Sequence, residues 1–484
     1  MHSKPNEIYT NLMWRLLERF GAQGVTLVVS LILARLLDPD AYGTVALITV
    51  FTTVLNVFVD SGLGNSLIQK KNADDVDFSS VFYFNLLVCC ILYSAVFFSA
   101  PIVGKFYNKP EMVPMIRVLS ITLIISGVKN VQQAYVSKHM MFKKFFFSTI
   151  GGTLAASVVG ISLALMGKGV WALIVQNITN LLMDTVILWI TVKWRPKLVF
   201  SWKRLKGLLS YGSKLLLVSL INNIYNECRQ LIIGKMYSSS SLAYYNQGNR
   251  FPQIVVQNLN TAIDNVVFSA MSDAQDEITR VKEMTRRSIR TGSFILAPLM
   301  IGLACVSESV VTLVLTEKWL GCVPYLQIFC FMYLFTPLET ANLNAIKAIG
   351  KSDVFLKIDL IEIGIGLTGL IIAMNFGPIC IASSMLICTV IDLFINSFPN
   401  NKYLNYGIHD QLRDIYPNIL LAFFMGIVVY GINFLKLKAI VALFIQIVVG
   451  AIVYIGGAAL LKIESFSYCL NVAKSFLRKK GNNI

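Results

Sequence analysis

Apolar stretches of about 20 residues recur along the whole chain, separated by short polar segments. An α-helix needs that length to cross the hydrocarbon core of a membrane. The pattern therefore predicts an all-α integral membrane protein with about fourteen transmembrane helices. The predicted spans lie near residues 12–36, 41–67, 80–104, 112–137, 145–166, 169–192, 208–233, 242–270, 290–315, 321–346, 353–375, 377–399, 414–434 and 438–461.

The composition supports the same class of protein. Of the 484 residues, 56% are hydrophobic and only 14% are charged, and the mean hydropathy is +0.66. A soluble domain carries about 25% charged residues. The 11 residues before the first span are polar, and the span is full length without a small-residue cleavage site. We therefore expect the first span to act as an uncleaved membrane signal.

The net charge of +16 is distributed unevenly between the connections. Lysine and arginine concentrate in every second connection, and by the positive-inside rule this asymmetry predicts that both termini are cytoplasmic. No basic stripe with interleaved aromatic residues lies outside the spans, so nucleic acid is not an expected partner. The cation-rich connections contain Lys70 and Lys71; Lys138, Lys143 and Lys144; Lys193, Arg195, Lys197, Lys203, Arg204 and Lys206; Arg280, Lys282, Arg286, Arg287 and Arg290; and Lys474, Arg478, Lys479 and Lys480.

Signatures of catalysis are missing from the chain. There is no Walker A sequence, and the nine cysteines form no CxxC pair, so neither ATP hydrolysis nor zinc nor disulfides are indicated. The three histidines, His2, His139 and His409, fall in terminal or loop positions. The longest connections, 193–207 and 271–289, are too short to fold as a soluble catalytic domain. We expect a non-enzymatic protein without a cofactor or a metal.

The chain also repeats part of its own pattern. Residues 33–43 read LARLLDPDAYG and residues 232–245 read IIGKMYSSSSLAYY. In both, an apolar helix ends in one cation, a tight turn follows, and an Ala-Tyr pair opens the next helix. Internal repeats with a cargo site at their interface are a common transporter plan. The predicted parts are an N-terminal lobe of helices 1–6 (1–193), a basic cytoplasmic linker (194–206), a C-terminal lobe of helices 7–12 (207–399), and helices 13 and 14 with a basic tail (400–484).

Charged residues inside the spans are the main candidates for function. A charge near the centre of a bilayer costs roughly 2.5–3.5 kcal/mol, so such residues usually face protein or a water-filled cavity. Arg15, Glu18 and Arg19 lie in the first span, and Lys214, Glu227 and Arg229 lie in the seventh. Polar residues accompany them at helical spacing in spans 1, 6, 7 and 8. Polar contacts between packed helices, at about 1 kcal/mol each, are one explanation. An aqueous cavity between the lobes explains the full charges better.

Cations and acids in these spans predict different roles. The cations suit phosphate oxygens, because arginine offers a planar fork and lysine a point charge. The acids are either counter-ions to those cations or ligands of a coupling Na+ or H+. Arg15, Glu18, Arg19 and Lys214 are predicted to form a cytoplasmic entry vestibule, with Glu227 and Arg229 nearer the exit. The candidate cargo-binding residues are Arg19, Lys129, Lys214, Arg229, Arg250, Asn177, Asn222 and Gln253, and the candidate coupling or counter-ion residues are Glu18, Asp60, Asp184, Asp264 and Glu339.

Several motifs, in order and spacing, resemble the multidrug/oligosaccharidyl-lipid/polysaccharide flippase superfamily. The resemblance is to its polysaccharide branch, which includes colanic-acid and teichuronic-acid exporters. It covers residues 1 to about 400, while 400–484 match only as two further helices and a basic tail. The matching segments are LARLLDPDAYG (33–43), VDSGLGNSLIQKK (59–71), QQAYVSKHMMFKK (132–144), GVWALIVQ (169–176), WRPKLVFSWKRLKGLLSYGSKLL (194–216), YYNQGNRFPQ (244–253), EKWLGCVPYLQIF (317–329) and GKSDVFLKIDLIE (350–362).

The resemblance implies a bacterial inner-membrane transporter with two six-helix lobes and two additional helices. Its implied cargo is an undecaprenyl-diphosphate-linked oligosaccharide, moved to the outer leaflet by alternating access. Membrane lipids, Na+ or H+, and polysaccharide assembly proteins are the implied partners. One alternative is a cation-coupled small-molecule exporter of the same superfamily, which would favour an acid-rich cavity. Another is a membrane-embedded glycan polymerase or ligase, which usually needs a large external loop; no external connection here exceeds about ten residues.

Overall fold

The computed structural model describes the backbone of residues 5–60, 62–435 and 437–471, with side chains except at 5–12, 15–16, 19–20, 60, 211, 214–215 and 261–266. Over these residues the chain is helical and contains no β-strand. This confirms the predicted all-α class. The physical reason is that backbone polar groups facing lipid must be satisfied within their own segment, and a helix achieves this.

The chain divides into two compact units, residues 1–243 and 244–484. The predicted lobe bounds at 193 and 207 stay a prediction, and the helix that follows the basic connection groups with the first unit. The helices of the first unit are α1 Pro5–Leu36, α2 Pro39–Asp60, α3 Leu63–Gln69, α4 Asp75–Phe106, α5 Met112–Leu119, α6 Ile121–Lys138, α7 Phe142–Leu165, α8 Val170–Thr191 and α9 Trp202–Met236.

The second unit follows the same helical plan. Helix α10 begins in the last residues of the first unit, and two short 3₁₀ helices span Glu317–Cys322 and Ile432–Leu435. A final helix, α19, is described over residues 464–471. The remaining helices are α10 Ser239–Asp273, α11 Ile278–Cys305, α12 Ser307–Val314, α13 Val323–Tyr333, α14 Thr336–Ala348, α15 Ser352–Ala373, α16 Pro378–Leu404, α17 Ile408–Gly431 and α18 Ala439–Leu460.

Ten helical segments in the described residues are long and apolar enough to cross a membrane. The total of fourteen stays a prediction. The other four predicted spans, 12–36, 208–233, 242–270 and 353–375, coincide with α1, α9, α10 and α15. Each of these helices contains charged residues within its predicted span. Such residues favour protein or water, rather than lipid, around part of the helix surface.

The repeated sequence pattern has a structural counterpart. Helix α1 ends at Leu36 and α2 begins at Pro39, while α9 ends at Met236 and α10 begins at Ser239. In each case two residues separate a long helix from its successor. The two similar stretches of sequence therefore form the same helix–turn–helix element.

The basic connection between α8 and α9, together with the first turn of α9, is held against the start of α4 by charged groups, an arrangement we call the linker clasp. Arg204 Nη1 donates to Asp74 Oδ1 at 2.6 Å, and Lys197 Nζ lies 2.6 Å from Asp75 Oδ2. The indole of Trp194 donates to Asp75 Oδ1 at 3.2 Å. Asp74 is also the N-cap of α4, so one carboxylate both starts a helix and holds the connection.

Backbone groups complete the linker clasp. The amides of Lys197 and Ser201 donate to the hydroxyls of Ser79 and Ser80 at 3.0 and 2.9 Å. The side chain of Gln132 donates to the Trp194 carbonyl at 3.1 Å. The acidic and hydroxyl residues at the start of α4 thus bind the connection directly. The first residues of the connection therefore pack as part of the first unit.

The linker clasp predicts a pH-dependent contribution to stability. The hydrogen bond from Arg204 lowers the pKa of Asp74 from 3.8 to about 2. A carboxyl group with a lowered folded-state pKa stabilises the fold above its unfolded value and loses this contribution as the pH falls through the folded value. We expect Arg204→Gln to lower the melting temperature modestly above about pH 4, with the difference shrinking as the pH falls toward about 2.

Thermal unfolding in detergent from pH 2 to 7 measures this difference. Arg280→Gln is the matched control, because Arg280 is an exposed arginine paired with Glu277 far along the chain from the linker clasp. A difference from wild type that is independent of pH would contradict the proposed link to Asp74.

Candidate functional site

A buried ion pair joins two of the predicted site residues in the first unit. Lys129 Nζ on α6 lies 2.6 Å from Asp184 Oδ2 on α8, and the two side chains are only 13% and 10% exposed. On α7, a Cβ added to Gly152 would lie 2.8 Å from the Asn180 carbonyl oxygen and 3.0 Å from Asp184 Cβ. Glycine at this position therefore allows α7 and α8 to approach closely beside the pair.

A second cation lies on α9. Arg229 is 5% exposed, and its Nη2 donates to the Tyr225 hydroxyl at 3.0 Å. The guanidinium carbon also lies 4.7 Å from the centre of the Tyr225 ring. One turn of the same helix holds Glu227 and Gln230 in a hydrogen bond of 2.5 Å. The helix therefore carries both signs of charge away from its ends.

The polar face of α10 is partly engaged within the second unit. The Tyr333 hydroxyl of α13 donates to Asn249 Oδ1 at 3.0 Å, and Asn260 donates to the Thr340 hydroxyl of α14 at 3.1 Å. Arg250 and Gln253, both predicted to bind cargo, are half-buried on this helix. The amides of α10 thus bind α13 and α14, and Arg250 on the same helix remains partly accessible.

Acidic residues lie on neighbouring helices of the second unit. Glu339 is half-buried on α14, two residues after Pro337. On α15, Glu362 accepts a hydrogen bond of 2.7 Å from Asn396 of α16. Of these three residues, only Glu339 was predicted from the sequence as a site residue. The signal for the other two was present, since Glu362 and Asn396 both interrupt apolar helices.

The other predicted site residues are dispersed. Asn177 is exposed on α8, Asn222 is half-buried on α9, and Glu18 is half-buried on α1. For the remaining predictions the side chains lie outside the described residues, namely Arg19, Lys214, Asp60 and Asp264. The predicted residues are therefore not seen as a single cluster, and their roles stay predictions.

The two repeated turns meet in the first unit, at a contact we call the turn junction. A Cβ added to Gly43 would lie only 1.7 Å from the carbonyl oxygen of Ser239, so the two backbones touch. Lys109 Nζ bridges the junction, 2.8 Å from the Ser239 hydroxyl and 3.4 Å from Asp40 Oδ1. This contact could not be predicted from the sequence, because the three segments are distant along the chain.

A further charged cluster that sequence analysis missed lies in the second unit. Asp414, buried at the start of α17, binds Arg286 through two hydrogen bonds of 2.7 and 2.9 Å. It also lies 3.2 Å from Arg290 Nε and accepts a hydrogen bond of 2.8 Å from the Tyr406 hydroxyl. The available signal was an aspartate directly before an apolar run, in a chain with three arginines at 286, 287 and 290.

Comparison with known proteins places these features in a family. Residues 32–324, more than half of the chain, match a family model described as Polysaccharide biosynthesis protein. The teichuronic acid biosynthesis protein TuaB of Bacillus subtilis is 23% identical over 84% of this chain and 85% of that protein. The lipopolysaccharide biosynthesis protein WzxC of Escherichia coli is 22% identical over 84% of this chain and 85% of its own length. The succinoglycan biosynthesis transport protein ExoT of Rhizobium meliloti is 25% identical over 71% and 70%.

Solved structures share the fold. The lipid II flippase MurJ in an inward closed conformation superposes with a TM-score of 0.77 at 16% identity, covering 95% of this chain and 100% of that one. An inward-facing multidrug resistance transporter of the MATE family superposes with a TM-score of 0.62 at 13% identity, covering 79% and 94%. The shared fold confirms the predicted all-α architecture.

Proposed function

This chain belongs to the polysaccharide biosynthesis protein family, and on that premise we propose that it is a flippase for an undecaprenyl-diphosphate-linked oligosaccharide. The cargo moves from the cytoplasmic to the outer leaflet for surface polysaccharide synthesis. The protein acts in the bacterial cytoplasmic membrane with both termini in the cytoplasm. Support comes from the family match, from relatives named for polysaccharide biosynthesis and transport, and from the distribution of lysine and arginine.

The observation that carries the proposal is the presence of arginine within α9 and α10. Arg229 is buried and Arg250 half-buried in these helices, and charged residues inside membrane-spanning helices usually mark a functional site. A diphosphate is a suitable ligand for arginine, which binds phosphate oxygens through paired, charge-assisted hydrogen bonds. The neighbouring amides Asn222 and Gln253 suit the hydroxyl groups of a sugar chain, while the polyprenyl tail remains in lipid.

The turn junction fits a transporter that works by alternating access. Two equivalent turns touch through Gly43 and Ser239, and Lys109 bridges them. The positive-inside pattern assigns these turns to the outer face. A contact between equivalent elements at one face is what closes that face while cargo enters from the other. We propose that the turn junction is the outer closure of the cargo path.

The acids of the second unit support a coupling role within the same function. Glu339 and Glu362 lie on adjacent helices, and carboxylates in a partly wet site bind a proton or Na+. An acid-rich site is also what a cation-coupled small-molecule exporter would need. The arginines of α9 and α10 favour the anionic cargo over that alternative. Because a relative is named as a transport protein, we propose that the chain carries out transport without catalysis.

A leaflet-translocation assay with a lipid-linked oligosaccharide in proteoliposomes tests the function. We expect Arg250→Ala to lower the rate by about tenfold or more, because a hydrogen bond to a charged group contributes about 1.5–3 kcal/mol. Arg19→Ala, at another cargo-binding residue predicted from the sequence, is tested beside it, and Arg280→Ala is the exposed control. Unimpaired translocation in both test variants would remove the phosphate-binding assignment. No translocation by wild type under an imposed Na+ or proton gradient would contradict the flippase itself.

A further inference from the structure

A large apolar groove runs through the second unit between α11, α17, α18 and α19. It encloses about 770 Å³ and is lined by residues such as Ile295, Leu299, Leu443 and Ile447. Tyr454 also lines it, but its hydroxyl is occupied by a hydrogen bond of 2.9 Å to the Phe294 carbonyl. The groove therefore offers hydrocarbon contact and few polar partners, and it suits an acyl chain.

A charged cavity of about 360 Å³ lies between α11 and α19, two of the four helices that form the groove. Arg287 and Thr291 of α11 line the charged cavity, and Ile295 and Leu299 line the apolar groove. Residues spaced by four share one face of a helix, so the face changes from charged to apolar within one turn. Helix α19 divides in the same way, with Tyr468 in the charged cavity and Phe466, Cys469 and Leu470 in the groove.

Arg287 differs from the other two arginines of this cavity in its partners. Arg286 and Arg290 bind Asp414, and Arg290 also pairs with Glu464. In the part of the chain that the structure describes, Arg287 has no ion-pair partner, and its guanidinium carbon lies 4.8 Å from the centre of the Tyr468 ring. The stacking holds the planar group in place while its N–H donors remain accessible.

We propose that the charged cavity and the apolar groove together bind one anionic glycerophospholipid, with its phosphate at Arg287 and an acyl chain in the groove. Basic pockets between transmembrane helices on the cytoplasmic side bind anionic headgroups, and the charge pattern assigns this end of α11 to that side. One arginine without an ion-pair partner among the described residues, beside the carboxylates Glu283 and Glu464, matches a singly charged phosphodiester better than a diphosphate. The site is therefore assigned to a resident membrane lipid and not to the cargo, and it does not depend on the proposed function.

Titration of the purified full-length chain in neutral detergent, followed by native mass spectrometry, tests this site. The probes are phosphatidylglycerol and phosphatidylcholine with identical acyl chains. We expect wild type to bind phosphatidylglycerol about fivefold more tightly, since one surface cation contributes about 1 kcal/mol toward an anionic lipid. Arg287→Gln should abolish this preference. The exposed, paired Arg280 lies outside both cavities, and Arg280→Gln should retain the preference.

A second variant tests the groove separately from the charge. Gly302 lines the groove, and a Cβ added there would meet only Met425 Cε, at 3.7 Å. Gly302→Leu should therefore fill the groove without moving the backbone and weaken the binding of both lipids.

Four outcomes would overturn the proposal. The first two are equal binding of the two lipids by wild type and a preference for phosphatidylglycerol retained in Arg287→Gln. The third is undiminished binding of both lipids by Gly302→Leu. The fourth is displacement of phosphatidylglycerol by millimolar inorganic phosphate, or by polyprenyl phosphate at a lower concentration than the phospholipid itself requires. The last result would assign the site to a free anion or to a cargo-type lipid.

Discussion

Replacing Lys129 with methionine is expected to destabilise the chain by about 3–5 kcal/mol, the usual effect of removing one partner from a buried ion pair. Lys129 is the ion-pair partner of Asp184, and the aspartate side chain is only 10% exposed. The other carboxylate oxygen, Oδ1, already lacks a hydrogen-bond partner among the described residues. The variant would therefore leave a buried carboxylate with no compensating charge between α6 and α8. Thermal unfolding in detergent measures the loss.

The double variant Lys129→Met with Asp184→Asn separates structure from transport. It removes both charges and keeps the side-chain volumes close to those of wild type, so we expect most of the stability to return. We also expect translocation to return, because the charge of Lys129 is already occupied by Asp184. Lys168→Met, at an exposed lysine, is the matched control. A stable double variant that does not transport would instead assign Lys129 to the cargo or Asp184 to the coupling ion.

The sequence determined the class of fold because hydropathy acts locally. Any stretch of about 20 apolar residues must become a helix in lipid, and ten helical segments of this kind follow from composition alone. The helices α1, α9, α10 and α15 are harder to assign as spans, because their charged residues offset the apolar ones. Their membrane environment depends on neighbours that hydropathy does not contain.

The candidate site was only partly predictable for the same reason. Lys129 and Asp184 were each recognisable as costly charges in apolar helices, but their pairing depends on how α6 packs on α8. The linker clasp could not be predicted, because a basic connection and the few acidic residues at the start of α4 each resemble solvated loop residues. Asp414 lies at the edge of its apolar run, where a carboxylate is inexpensive, and only the packing of α11 against α17 shows that it is buried with Arg286.

Replacing Gly43 with alanine is expected to destabilise the first unit more than the same replacement at any other helical glycine that the structure describes there. The new Cβ would lie 1.7 Å from Ser239 O and 2.3 Å from its carbonyl carbon. Both are backbone atoms, so no side-chain rotation relieves the overlap. Overpacking typically costs about 1–3 kcal/mol and sometimes more, and here α2 must separate from the start of α10. Thermal unfolding in detergent measures the loss.

Two further variants identify the cause of that loss. A Cβ added to Gly24 of α1 meets nothing within 4 Å, so Gly24→Ala should be neutral or stabilising by up to about 1 kcal/mol through helix propensity. Lys109→Met removes the bridge to Ser239 and Asp40 but leaves the backbone contact in place. If the turn junction is the outer closure of the cargo path, both Gly43→Ala and Lys109→Met should lower translocation, while only Gly43→Ala lowers the melting temperature strongly. A Gly43→Ala protein that melts and transports like Gly24→Ala would show that the two turns need not touch, and the proposed closure would fail with it.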